Sequence, residues 1–236
     1  MLLERTGRVL TSAGDRIQGI HDTILGGVSK ESVEGTHYLE GYEASNAIDG
    51  KDDTKYRNFG HDWTGLKSGF YVTPEKGASI LIGIQFTTGG KSSKRDPMKC
   101  TLEGSNREWR KLTKGSSWIN IATCSTGIKK NSGRGKRGLV VRIPNAISYT
   151  SYRLLITEKN DNLDLHGVEY SRCTFLKYFY PTPPSPVRLV GAAQGTDYDD
   201  DNESLDCIGW NVDAKIPDFS LIPEHAHDDD DKWHIE

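Results

Sequence analysis

No run of about 18 apolar residues occurs in the 236-residue chain, so no stretch has the length of a membrane-spanning helix. The first residues, with Glu4, Arg5, Arg8, Asp15 and Arg16, lack the apolar centre of a signal peptide. The compartment stays open: extracellular if a leader has been removed, otherwise intracellular. Catalytic signatures are missing too. There is no G-x-S-x-G, no Cys-His signature, and no phosphate-cradling glycine loop followed by Lys-Ser/Thr. Seven histidines are scattered, none at the i, i+4 spacing of a zinc-binding helix. Cys100, Cys124, Cys173 and Cys207 lack C-x-x-C spacing, which leaves one or two disulfides and four buried thiols as open alternatives. Long helical periodicity is also absent. The expectation is that this is not an enzyme.

Apolar content is only 35%, with 25 glycines and 9 prolines, a composition of many turns and a sizeable unstructured fraction. What apolar residues there are come in short, β-branched runs bounded by Gly, Pro or Asn, such as Ser79 to Phe86 and Gly138 to Ile143. Such runs read as strands, and several of them predict an all-β sandwich.

The segment Glu43 to Asn58 is the most informative. Ala47 and Ile48 supply an apolar anchor, and Asp49-Gly50 a turn, because Asp caps its own backbone and Gly accepts positive φ. Asp49, Asp52, Asp53 and Thr54 then place hard oxygens in one loop, either as solvated carboxylates or as cation ligands. Two further stretches follow the same order as a known domain type. One is Arg95-Asp96-Pro97 with Thr101-Leu102-Glu103-Gly104-Ser105-Asn106; the other is Tyr152 to Ile156 followed by Leu165 to Tyr170. With Ala47, Asp49, Gly50, Thr54 and Tyr56, these resemble discoidin-like (coagulation-factor C-type) domains of the galactose-binding-like superfamily.

The resemblance covers residues 35–172 and implies a jelly-roll β-sandwich. The expected organisation is first strands over 1–34, the sandwich over 35–179, a Pro-rich linker over 180–186 and a mostly irregular acidic extension over 187–236. The resemblance also implies a structural calcium ion joining the early loop to the last strand. Its ligands would be Asp49, Asp52, Thr54 and Glu169, with the carbonyls of Lys51 and Val168. The alternative is a metal-free member in which Glu169 pairs with a nearby lysine. Family members present ligand-binding loops at one end of the sandwich. The candidates are Arg57, Asn58, His61, Asp62 and Trp63, with Arg95 opposite. A sugar site needs a flat apolar ring and a few rigid donors, which Trp, His and Arg supply. The competing reading makes Trp63 a buried residue and His61 an ordinary loop residue.

Charge is unevenly spread. From Asp197 to Glu236 there are 14 acidic residues and two lysines, a net of −12; the preceding residues hold the other 28 basic and 19 acidic residues, a net of +9. The tail is either a solubilising end or a strap anchored by Trp210, Phe219, Leu221, Ile222 and Trp233. Its Asp197, Asp199, Asp201 run is not an EF-hand, since Asn202 replaces the needed Gly and Ile208 the bidentate Glu. The basic residues gather in two loops, Lys91, Lys94, Arg95 and Lys99, and Lys129, Lys130, Arg134, Lys136 and Arg137. They are either solvated hairpin tips or a field that draws in phosphate, sulfate or carboxylate.

Two functions compete on this evidence. The first is a noncatalytic, lectin-like carbohydrate-binding or adhesion module with a glycan partner, neutral or anionic. The second is an intracellular or assembly-linked interaction subunit whose acidic tail docks a protein partner or masks the basic face. Nucleic acid ranks below both.

Overall fold

The computed structural model describes residues 8–178. The Pro-rich linker, the acidic extension with its apolar anchors, and Cys207 lie outside the described residues. Eleven strands make up the described part: β1 Arg8–Val9, β2 Arg16–His21, β3 Lys30–Glu31, β4 Tyr56–Asn58, β5 Ser68–Thr73, β6 Leu81–Thr88, β7 Pro97–Ser105, β8 Ile119–Ser125, β9 Val141–Arg142, β10 Ser151–Lys159 and β11 Val168–Lys177. Six pair in the order β3-β2-β5-β10-β7-β8, while β11 lies between β6 on one side and β4 and β1 on the other, with β9 beyond β6. All the ladders are antiparallel. No helix among the described residues is long and apolar enough to cross a membrane.

Side-chain alternation explains how the sheets stack. In β10, Tyr152, Leu154 and Ile156 face inward, and their counterparts in the other sheet are Tyr170, Cys173 and Phe175 of β11. Rings join the layers: Phe70 lies 6.0 Å from Phe175, and Tyr152 meets the same Phe175 edge-on at 6.0 Å. Ala47 and Ile48 enter this core, as the sequence predicts. The result is the expected all-β, jelly-roll-type sandwich. The strands before residue 35 belong to it, since β2 lies between β3 and β5. The run Gly138 to Ile143 yields only the two-residue β9, because Gly138 and Leu139 hydrogen-bond to Phe86 and Gly127 as an irregular edge.

The larger sheet is buried on its outer side as well. Ile20, Tyr71, Leu112, Trp118 and Leu155 form a second core with Trp109 against it, under the turns Trp109–Lys111 and Gly115–Ser117. Within it Arg153, fully enclosed, pairs with Glu103 directly across the β10–β7 ladder at 2.6 and 2.8 Å. Its remaining nitrogen donates to Gly27 O and Ser29 Oγ at 2.9 and 2.8 Å, and the guanidinium lies 4.8 Å from the Trp118 ring centre. Gly104, next along β7, is required by packing: a Cβ there would meet the Tyr149 ring at 2.4 Å. Cys100 faces Cys124 across the β7–β8 ladder with Sγ atoms 4.0 Å apart, and these two and Cys173 are thiols.

A buried ion pair is costly to break and cheap to replace as a unit. Glu103→Ala should therefore destabilise the fold by about 3–5 kcal/mol in denaturant melts, and the double change Glu103→Leu, Arg153→Met by clearly less. Equal losses would show that the pair is not what holds the second core.

Candidate functional site

β4 pairs with the first residues of β11, placing Arg57 opposite Glu169 and Asn58 opposite Val168. Tyr56 points inward, so Arg57 points out, beside Glu169 on the same outer face. Further along β11 the alternation breaks. Val168 and Tyr170 are core residues, but so are Cys173 and Phe175, and the register with β6 shifts between Tyr170 and Arg172. This bulge at Ser171 turns Arg172 to the same face as Glu169.

The early loop is built as the sequence implies. Gly50 takes φ +79°, and Asp49 accepts from Lys51 N at 2.8 Å and from Thr54 Oγ1 at 2.7 Å. Arg172 then reaches into it, with Nη2 donating to the Gly50 carbonyl and lying 3.1 Å from Asp52 Oδ1. Glu169, only 1% exposed, lies 3.4 Å from Arg95 Nη1 and 3.8 Å from Arg57 Nε. The expected calcium ligands therefore do not form a free oxygen shell. Both Asp49 oxygens and Thr54 are engaged within the loop, Asp52 is paired with Arg172, and Glu169 meets two guanidiniums through Oε2, while its buried Oε1 has no hydrogen-bond partner. Among the described residues no group of three or more His, Cys, Asp or Glu side chains is placed to hold a metal ion. As arranged, these residues do not fit a calcium ion.

The expected ligand residues fall into three classes. Asn58 is wholly buried; its amide donates to Ile20 O, Ser32 Oγ and Tyr56 Oη at 2.8–3.2 Å and its carbonyl accepts from Gly60 N at 2.8 Å. It shapes the loop rather than reaching a ligand, a correction to its reading as a contact. Arg57 and Arg95 are largely enclosed. Arg57 donates from Nε and Nη2 to His166 O at 3.0 and 2.8 Å and lies 4.7 Å over the Phe59 ring, while Arg95 also lies 3.7 Å from Asp164. His61 and Trp63 are exposed.

Trp63 stands out by its backbone. It holds φ +64°, a region bulky side chains avoid, yet the residue is 57% exposed and its ring packs tilted against Phe59 at 5.5 Å. The loop around it is pinned. Trp63 O accepts from Gly167 N at 2.8 Å, Asp62 accepts from Thr64 N and Oγ1, and Gly65 N donates to Phe59 O at 2.9 Å. Gly65 is so close to the ladder that a Cβ would meet Val168 N at 2.3 Å and Asn58 O at 2.5 Å. Four residues outside the sequence-based set belong here: Phe59, Lys159, Asp164 and His166. Lys159 donates to the carbonyls of Asp164 and Gly167, and His166 Nδ1 lies 2.5 Å from Asp164 Oδ1. Burial opposes charge on Asp164, but His166, Lys159 and Arg95 outweigh it and hold its carboxyl below the usual range. Leu165 and His166, expected in the final strand, instead lie in the loop before it, because Gly167 turns the chain at φ +77°.

No family model matches the chain, and no curated protein does. Among solved structures, the chain is similar to the family 32 carbohydrate-binding module of NanJ from Clostridium perfringens, determined with galactose: 15% identity over 73% of this chain and 100% of that one, TM-score 0.47. It is also similar to an F5/8 type C domain from Bacteroides fragilis, at 12% identity over 70% and 93%, TM-score 0.48. A third is a fucolectin from striped bass serum, at 10% identity over 75% and 50%, TM-score 0.45.

Beside the loop, His21 and His37 stack at 3.6 Å, and His37 Nδ1 accepts from Val33 N at 3.0 Å. Burial lowers the pKa of both, with the neighbouring imidazoles adding to it. A histidine whose folded pKa lies below its unfolded value of about 6.5 contributes stability that is whole above that pH and is lost as pH falls through it. The melting temperature should fall between about pH 7 and pH 5, and His37→Gln should flatten that dependence. An unchanged slope in the variant would exclude the pair as its source.

Proposed function

We propose that the chain is a noncatalytic carbohydrate-binding module whose sugar lies against Trp63. The observation carrying this reading is the backbone of that residue. A tryptophan in the left-handed region costs on the order of 1–3 kcal/mol, and such strain persists only where surrounding structure imposes it. Here the Gly65 approach and the Gly167 hydrogen bond impose it, and the outcome is an exposed ring on a fixed support. A rigid apolar ring suits the face of a pyranose, and little ordering remains to be paid for when it binds. His61, Asp62 and His166 are exposed around it as donors and acceptors for hydroxyls. Glu169 is enclosed by Arg57 and Arg95, and Asp164 is held by His166, so both carboxylates serve the packing of this end.

The flanking charge favours an acidic sugar. Arg134 donates to both Asp96 oxygens, at 2.7 and 2.5 Å, and joins the two basic loops into one surface. Lys91, Lys129, Lys130, Lys136 and Arg137 are exposed on those loops, and Lys94 adds to them. Arg95, from the same stretch as Lys91 and Lys94, reaches Asp164 beside the Trp63 loop. This field raises the local concentration of sulfate or carboxylate groups.

On an array of neutral, sialylated and sulfated glycans, binding should be strongest to acidic members and fall with salt. Trp63→Gly, which removes the ring and suits the backbone, should weaken binding at least about 30-fold while the melting temperature holds or rises. Silence across the array, or unchanged affinity in the variant, would overturn the proposal.

A further inference from the structure

The tie between the early loop and the last strand is present, but what supplies its positive charge is a side chain. Three observations converge on it. The bulge at Ser171 breaks the alternation of β11 and sends Arg172 outward instead of into the core. Its Nη2 then meets both the Gly50 carbonyl and Asp52, two oxygens of the very loop in which a cation would be held. Asp49 is engaged by Lys51 N and Thr54, and Glu169 Oε2 by Arg57 and Arg95; Glu169 Oε1 is buried without a hydrogen-bond partner, a single oxygen where calcium needs six to eight.

We propose that the Arg172 guanidinium takes the place of a metal ion, so that the clasp between residues 49–54 and β11 closes without calcium. A guanidinium suits the task. It carries permanent charge and a planar fork of donors, so one group can satisfy a carbonyl and a carboxylate together. Calcium would need six to eight oxygens at about 2.3–2.6 Å and would have to displace that fixed cation. Lys51 and Lys55 flank the loop and Arg57 and Arg95 cover Glu169, so a dication would also enter a field of its own sign. Gly89 helps to keep Glu169 in place, since a Cβ there would lie 2.8 Å from its Oε1.

The test uses the full chain and thermal melts in millimolar calcium chloride or in EDTA. A structural ion at about a hundred times its Kd would raise the melting temperature by roughly 5–10 °C. The native chain should instead melt at the same temperature in both. Arg172→Met should lower it by about 3–10 °C in either buffer, with faster amide exchange confined to residues 48–54 and the adjoining end of β11. Asp52→Asn, at an exposed position that leaves the core untouched, should reproduce the faster exchange in milder form should Arg172→Met not fold. Stabilisation of the native chain by calcium, or loop exchange unchanged in both variants, would overturn the proposal.

Discussion

The short ladder between β4 and the first residues of β11 is the constraint on which the rest of this end depends. Three residue pairs set it, and each outward or inward choice along it has a consequence. Arg57 and Glu169 meet outside, where Arg95 joins them from the loop before β7. Asn58 turns inside and ties β2, the Ser32 segment and Gly60 together through its amide. The close approach of Gly65 to the same ladder sets the path of the following loop and thereby the conformation of Trp63. Exposed aromatic, buried strut and charge cluster are thus three results of one register.

Charge is handled in three different ways in this sandwich. In the second core, Arg153 and Glu103 are wholly desolvated and satisfy each other bidentately, so their contribution is specificity and the avoidance of an unpaired ion. At the loop end, Arg57, Arg95, Lys159, Asp164, Glu169 and Arg172 are partly enclosed and interlinked, and fix loops of no regular structure to the strand ends. On the outer basic loops Lys91, Lys129, Lys130, Lys136 and Arg137 are solvated, which contributes almost nothing to stability but extends a field into solvent. Only the third kind is suited to attracting a ligand from solution.

Much of this was legible in the chain, for physical reasons. Ala47 and Ile48 are core residues because they precede an Asp-Gly turn, and that turn has the Asp cap and positive φ expected of it. The strand at Leu81 follows from its β-branched run. The bulge in β11 was also readable in principle, since Val168 and Tyr170 differ in parity from Cys173 and Phe175. Its effect on Arg172 was not, because which loop meets an outward side chain is settled by the fold. Asn58 was misjudged for a related reason: a polar residue beside a loop reads as surface until the inward direction of Tyr56 and Asn58 is fixed by pairing with β11. The identity of the clasping cation could not come from the early loop alone, since Asp49, Asp52 and Thr54 suit a calcium ion and a guanidinium equally well.

The central physical claim is that side-chain cations organise the outer face where β4, β11 and the early loop meet. Crystals grown in millimolar calcium chloride at a resolution that separates an ion from a guanidinium test it most directly. Density for Arg172 running continuously to the Gly50 carbonyl and Asp52, with no ion nearby, is the expected result. A cation coordinated by Asp49, Thr54 and Glu169, with Arg172 turned away to solvent, would contradict it.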